Sequence, residues 1–222
     1  MLALRRHQLV RLNDTGWAAL RERTWDDTAR ACLAHWEAHG LPLVVTQQRA
    51  GLPEDHIALG LPAPTQWQRR RLALQVPERG VLYFDEFPAA AAIAGLLPPP
   101  IRSAWLNLAK ALEDLATAPR VYGSFGWQRL TGLPYLHAGS DLDLKLMVSD
   151  AETADRVVAV MSAPAFTRPR LDGELVFPDG SAVAWREWDA WRTRRADRVL
   201  VKRLHGVAME TNNTWLGEYQ PC

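Results

Sequence analysis

Residues 121–148 read VYGSFGWQRLTGLPYLHAGSDLDLKLMV, and two short patterns inside this stretch decide the reading of the fold. Near its start an apolar pair runs into Gly123-Ser124 and opens into a turn or helix. Near its end, Ser140 to Val148 alternates as a strand does, with Asp141 and Asp143 on one face and Leu142 and Leu144 on the other. Two carboxylates on one strand face repel each other, and burial makes the repulsion worse. A divalent cation gives such a pair a reason to exist. Mg²⁺ favours one or two protein carboxylates together with water and phosphate oxygens. Taken alone, D-x-D is as readily a solvent-facing pair. Gly123-Ser124 adds to it: a strand end of this kind exposes backbone N–H groups, glycine lets a phosphate come close, and a helix N-terminus favours negative charge.

Outward from this stretch, Phe87–Leu97 and Ile101–Thr117 read as helices separated by Pro98–Pro100. In the second of them Ile101, Trp105, Leu108, Leu112 and Leu115 fall at helical spacing and bury one face. Leu171–Phe177 reads as a strand joined through Pro178-Asp179-Gly180 to another over Ala182–Trp188, the composition of a tight hairpin. Residues 188–204 read as charged helix. The first 85 residues form a separate part. They offer a strand over His7–Leu12, a helix over Thr24–His39 stopped by Gly40, and strands at Leu43–Val45, Ile57–Leu59 and Leu72–Val76, each bounded by Gly or Pro. The run Arg69-Arg70-Arg71 is either a solvated turn or a place to meet phosphates. The expected class is α+β: a small mixed αβ domain over 1–85, then a catalytic domain over 86–222 whose mixed sheet is packed by helices.

The whole-chain balance agrees with a soluble globular enzyme. With 222 residues, 48% hydrophobic and 23% charged, the chain can bury a sizeable core. A formal net charge of +1 disfavours a nucleic-acid binder that lives on phosphate contacts. No apolar run approaches the length of a membrane span, which argues against a membrane role. The two cysteines, Cys32 and Cys222, make no disulfide framework and no zinc spacing, so a cytoplasmic location is expected. Ten tryptophans read as packing residues, although Trp127, like Tyr135, could also stack on an adenine. The six histidines show no ligand spacing, and His137 reads as an incidental loop residue.

A Gly-Ser strand end followed by D-x-D on the next strand resembles the signature of the nucleotidyltransferase superfamily, the polymerase-β-like fold. The wider segments GSFGWQRLTGLPYLHAGSDLDL and RLDGELVFPDGSAVAWREW resemble the phosphoribosyl-dephospho-CoA transferases of bacterial malonate decarboxylase. RRHQLVRL, LPLVV and IALGLP in the first part look like that family too, so the resemblance covers nearly the whole chain. Lys145 departs from it, standing where an apolar residue is expected.

What the resemblance implies is a holo-acyl-carrier-protein synthase. The donor would be 2′-(5″-triphosphoribosyl)-3′-dephospho-CoA and the acceptor a serine of the apo acyl-carrier subunit of malonate decarboxylase, with diphosphate leaving. The same fold could instead transfer a nucleotide to a small molecule or RNA, or act as a binding module. In a Mg²⁺ site of this kind Asp141 and Asp143 bridge the metal, and Gly123 and Ser124 hold phosphates. Lys145, Lys202, Arg203 and Arg129 are candidates to neutralise the leaving diphosphate. In this fold a third carboxylate comes from a strand beside the D-x-D strand. Asp172 and Glu174 share one face of Leu171–Phe177, and both are candidate metal ligands. Asp172 is the preferred catalytic choice because its reach is shorter and it stands at the strand's start.

Overall fold

The computed structural model describes residues 4–115, 117–212 and 214–216. Cys222 lies outside the described residues. The chain is α+β and divides into two compact units. One comprises residues up to Phe87 with Thr131–Tyr135 and Leu204–Gly206; the other comprises Pro88–Leu130, Leu136–Arg203 and the described residues from Val207 onward.

In the first unit five antiparallel strands form a sheet: β1 (Leu9–Leu12), β2 (Leu43–Val45), β3 (His56–Pro62), β4 (Arg71–Pro77) and β5 (Val81–Asp85), in the order β4-β3-β2-β1-β5. On β3 and β4 the alternation is regular. Ile57, Leu59, Leu61, Leu72, Leu74 and Val76 are buried, while Ala58, Gly60, Ala73 and Gln75 face outward. Two helices follow β1, α1 (Asp14–Arg21) and α2 (Asp27–Ala38), capped by Asn13 and Asp26, whose side chains accept from Gly16 N and Ala29 N. The helix expected over 24–39 therefore begins at Asp27. Helix α1 escaped the sequence reading because Thr15 and Gly16 weaken its first turn. Cys32 is buried, and burial pushes its thiol up to about 12, which makes it inert.

The second unit is built on a six-stranded sheet of order β11-β10-β9-β8-β7-β6, formed by β6 (Arg120–Val121), β7 (Leu142–Met147), β8 (Leu171–Val176), β9 (Ala182–Ala184), β10 (Val199–Lys202) and β11 (Val207–Glu210). Only β7 and β8 pair in parallel; helix α5 (Ala151–Met161) lies between them in sequence. Leu142, Leu144 and Leu146 of β7 and Leu171 and Leu175 of β8 share a core with Trp105, Leu108 and Leu112 of α3 (Pro99–Glu113) and with Ala154, Val157 and Met161 of α5. That burial on one face leaves the opposite face of β7 and β8 to polar side chains. Gly173 allows the pairing. Its φ is +148°, and a Cβ there would lie 2.1 Å from the carbonyl oxygen of Leu144. Only a residue without a side chain lets β8 come this close to β7.

Several boundaries differ from the sequence reading. The expected helix over 87–97 is a 3-10 segment over Ala90–Leu96. The hairpin at Phe177–Ser181 is present, but its second strand stops at Ala184, and Trp185–Arg192 is helix α6. The expected helix over 188–204 ends at Arg192, because Val199 and Val201 alternate with Leu200 and Lys202 and are buried in the sheet. Lys202 is therefore a strand residue. Helix α5 escaped the reading although Asp150 caps it and Ala154, Val157, Val158 and Met161 are buried at helical spacing.

Candidate active site

Helix α4 (Gly123–Thr131) starts where β6 meets the middle of β7. Tyr122 donates its backbone N–H to the carbonyl of Asp143 at 3.0 Å, which fixes the turn against the D-x-D strand. Gly123 follows in the left-handed region, with φ +61°, and a Cβ on it would lie 1.9 Å from Oδ2 of Asp143. The carboxylate of Asp143 thus rests directly on the glycine backbone. The Ser124 side chain is half-buried at the first turn and makes no hydrogen bond among the described residues.

The parallel register of β7 and β8 places Asp172 opposite Asp143 and Glu174 opposite Lys145. Arg170 precedes β8 and grips the outer carboxylates. Its Nε donates to Asp141 Oδ1 at 3.2 Å, its Nη2 to the other Asp141 oxygen, and the same Nη2 lies 3.5 Å from Asp172 Oδ2. Asp172 also accepts from the Gly173 N–H at 2.8 Å. The electrostatics follow from these partners. The Arg170 guanidinium holds the Asp141 carboxyl below the usual carboxylate range. Burial, then the charges of Asp172 and Asp141, push Asp143 up to about 7. Among the described residues no set of three or more His, Cys, Asp and Glu side chains is gathered as a ready metal cage.

The remaining residues singled out in the sequence fall elsewhere. Glu174 is buried and accepts from Lys202 Nζ at 2.7 Å, so a candidate metal ligand and a candidate phosphate ligand pair with each other. Lys145 is 4% exposed in the strand layer beside Glu174 and does not face solvent. Arg203 pairs with Glu210, and Arg129 donates to the Ala92 carbonyl. Trp127 and Tyr135 are buried, the Tyr135 hydroxyl on the Pro62 carbonyl, so both are packing residues. Two cations that the sequence reading did not assign to the leaving group do reach the site. Arg168 and Arg170, with Ser140, His137 and Phe125, line a cavity of about 440 Å³ that Asp141 borders. Their only sequence signal is a pair of arginines flanking Pro169 just ahead of the strand that carries Asp172.

Residues 5–86 match the family model described as the phosphoribosyl-dephospho-CoA transferase MdcG N-terminal domain, and residues 87–213 match the C-terminal domain of the same family. The chain belongs to the phosphoribosyl-dephospho-CoA transferase family. Curated members agree. It is 36% identical over 211 residues to the phosphoribosyl-dephospho-CoA transferase of Bradyrhizobium diazoefficiens, covering 92% of this chain and 88% of that one. It is 36% identical over 186 residues to that of Xanthomonas campestris pv. campestris strain 8004, covering 82% and 84%. A Pseudomonas putida relative is 32% identical over 76% of this chain and 78% of its own. No solved structure matches the chain. As a member of the phosphoribosyl-dephospho-CoA transferase family the protein is a transferase, and every carboxylate and arginine of the cluster falls inside the C-terminal family domain. Among the described residues no helix is long and apolar enough to cross a membrane.

Proposed function

We propose that this chain transfers the phosphoribosyl-dephospho-CoA group from 2′-(5″-triphosphoribosyl)-3′-dephospho-CoA to a serine of the apo acyl-carrier subunit of malonate decarboxylase, releasing diphosphate. Family membership supports the donor class. The observation that carries the chemistry is the seat of the Asp143 carboxylate on Gly123, with Asp172 opposite it across the parallel strand pair. In the reaction the serine oxygen forms a bond to the innermost phosphorus of the triphosphate. The bond from that phosphorus to the diphosphate breaks, and the serine proton passes to Asp172. The Gly123-Ser124 turn offers N–H groups and a hydroxyl to the phosphates. Arg168 and Arg170 supply the positive charge that the departing diphosphate needs.

The chemistry of the donors suits Mg²⁺, although among the described residues they are not already gathered as a cage. All three candidate ligands, Asp141, Asp143 and Asp172, are hard oxygen donors, and among the described residues no cationic side chain hydrogen-bonds Asp143, whose charge the nearby Arg170 offsets only in part. Bound Mg²⁺ would lower the pKa of the attacking hydroxyl and stabilise the charge on the phosphates. The test is incubation with the purified apo carrier subunit, the triphosphoribosyl donor and Mg²⁺, read by intact-mass spectrometry. The carrier is expected to gain one prosthetic group. EDTA is expected to stop the gain and added Mg²⁺ to restore it. A carrier whose mass stays unchanged sinks the proposed acceptor, and labelling that persists through exhaustive chelation removes the metal.

The two candidates for the third carboxylate separate cleanly. Asp172→Asn is expected to abolish transfer with little change in melting temperature, since Asp172 is at the rim of the cluster. Glu174→Gln is expected to act on stability, because it leaves Lys202 without its charge partner. The cost is about 3 kcal/mol, the low end for buried pairs since Lys202 stays partly exposed. Transfer rates at saturating donor and thermal melts of both variants decide it. Loss of transfer in Glu174→Gln at unchanged stability would reverse the assignment.

A further inference from the structure

The first unit carries a cleft to which the transfer step assigns no role. Its floor is the outer face of β2, β3 and β4, where Val44, Ala58, Gly60 and Ala73 present small side chains or none, and its volume is about 560 Å³. Three arginines from separate parts of the chain stand around it: Arg23 between α1 and α2, Arg49 in the loop after β2, and Arg71 at the start of β4. No Asp or Glu lines the cleft. In the same unit Arg11, Arg21, Arg30 and Arg70 each pair with a carboxylate. Among the described residues Arg23, Arg49 and Arg71 pair with none, and Arg23 stacks on the Trp25 ring at 4.7 Å. The run Arg69–Arg71 thus divides. Arg70 is neutralised by Asp26, Arg69 donates to Thr65 Oγ1, and Arg71 is left facing the cleft.

We propose that this cleft, none of whose lining residues belongs to the Asp141–Asp143 cluster, binds a phosphate-bearing ligand of nucleotide size. Three guanidiniums around one opening repel each other and create a positive potential that an anion relieves. Their planar forks match phosphate oxygens two at a time. The flat, small-residue floor accepts a ring, and the side-chain amides of Gln47 and Gln75 stand beside it to hydrogen-bond a base or sugar. The volume lies within the range of small-molecule sites, whereas a docked protein would need a broad surface of about 800 Å². The nucleotide end of the CoA-derived donor and a free nucleotide share this chemistry.

The test uses the full-length protein and two probes, ADP and dephospho-CoA. Binding is followed by calorimetry, and its place by hydrogen–deuterium exchange. ADP is expected to protect residues 46–55, the loop after β2. The double change Arg49→Ala and Arg71→Ala is expected to weaken binding by at least about tenfold, the effect of losing a hydrogen bond to a charged group. Both side chains are exposed, so the melting temperature is expected to hold. Protection of 46–55 is expected to persist in Asp143→Asn, which keeps this site distinct from the transfer site, and it does not require that the chain label any carrier. Dephospho-CoA that protects the same loop more tightly than ADP identifies the donor as the source; the reverse order identifies a free nucleotide. Absence of protection at saturating concentrations of both probes overturns the proposal, as does unchanged affinity in the double variant. Arginine-dependent binding of the carrier subunit without binding of either probe makes the cleft a protein-docking face and overturns it too.

Discussion

Asp143→Asn is expected to lower the transfer rate by about a thousandfold or more and, at pH 8 without metal, to raise the melting temperature. Under the proposed function the rate effect follows from losing a charge that would hold a cation on the reacting phosphates, a contribution of several kcal/mol at about 1.4 kcal/mol per decade. The stability effect has the opposite sign because the carboxylate is held in an unfavourable place. Burial and the neighbouring Asp172 and Asp141 push Asp143 up to about 7, while an aspartate in the unfolded chain titrates near 4. Between those values the folded state keeps a proton that the unfolded state has lost. The wild-type protein therefore loses stability from this group as pH rises through that window, and the asparagine variant does not. The gap in melting temperature is expected to be absent near pH 4, to widen up to about pH 7 and to stay level above it. Each kcal/mol of relief amounts to about 2–4 °C in a chain of this size. Melts across pH 4–9 with and without Mg²⁺ measure it. A variant that transfers at the wild-type rate, or that melts below wild type at pH 8, contradicts the account of the site.

Gly123→Ala is expected to be the most damaging change that touches no charge. The new Cβ would lie 1.9 Å from Asp143 Oδ2, and φ +61° costs an alanine about 1–2 kcal/mol. The carboxylate or the turn must move by more than an ångström, and a displacement of that size costs about a hundredfold in rate. The stability loss should shrink when Asp143 is also changed to Ala, since the clash is then gone and only the backbone strain remains. A double-mutant cycle on the melting free energies measures that coupling. Additive losses would mean that the glycine is needed for the turn alone.

Much of the site could be read from residues near one another in sequence. The Gly-Ser turn, the alternation of Ser140–Val148 and the hairpin at Phe177–Ser181 are local patterns, and the structure carries all three. That β8 lies beside β7 is what the resemblance implies, but the register could not be read, because alternation puts Asp172 and Glu174 on the same face. The register separates them: Asp172 lies opposite Asp143, and Glu174 lies one step further along, where Lys202 takes it. Lys202 was misplaced for a related reason. The charged stretch before Val199 reads as continuous helix until β9 is seen to offer an edge to pair with. Arg170 carries no legible sequence signal of its role, because a guanidinium on a loop gives no periodic pattern. Its place on Asp141 depends on where two distant strands end.

Gly173 gives a way to sort sequences. A related chain can keep both aspartates of its D-x-D strand and still have lost the arrangement, because the aspartates alone do not bring the second strand close. If the residue after the third aspartate bears any side chain, the two strands must part at Leu144, and the opposed carboxylates separate with them. Reading that one position is therefore a quick filter for degenerate copies in genomes. Under the proposed function it would flag decayed sites that a search for acidic residues would count as intact.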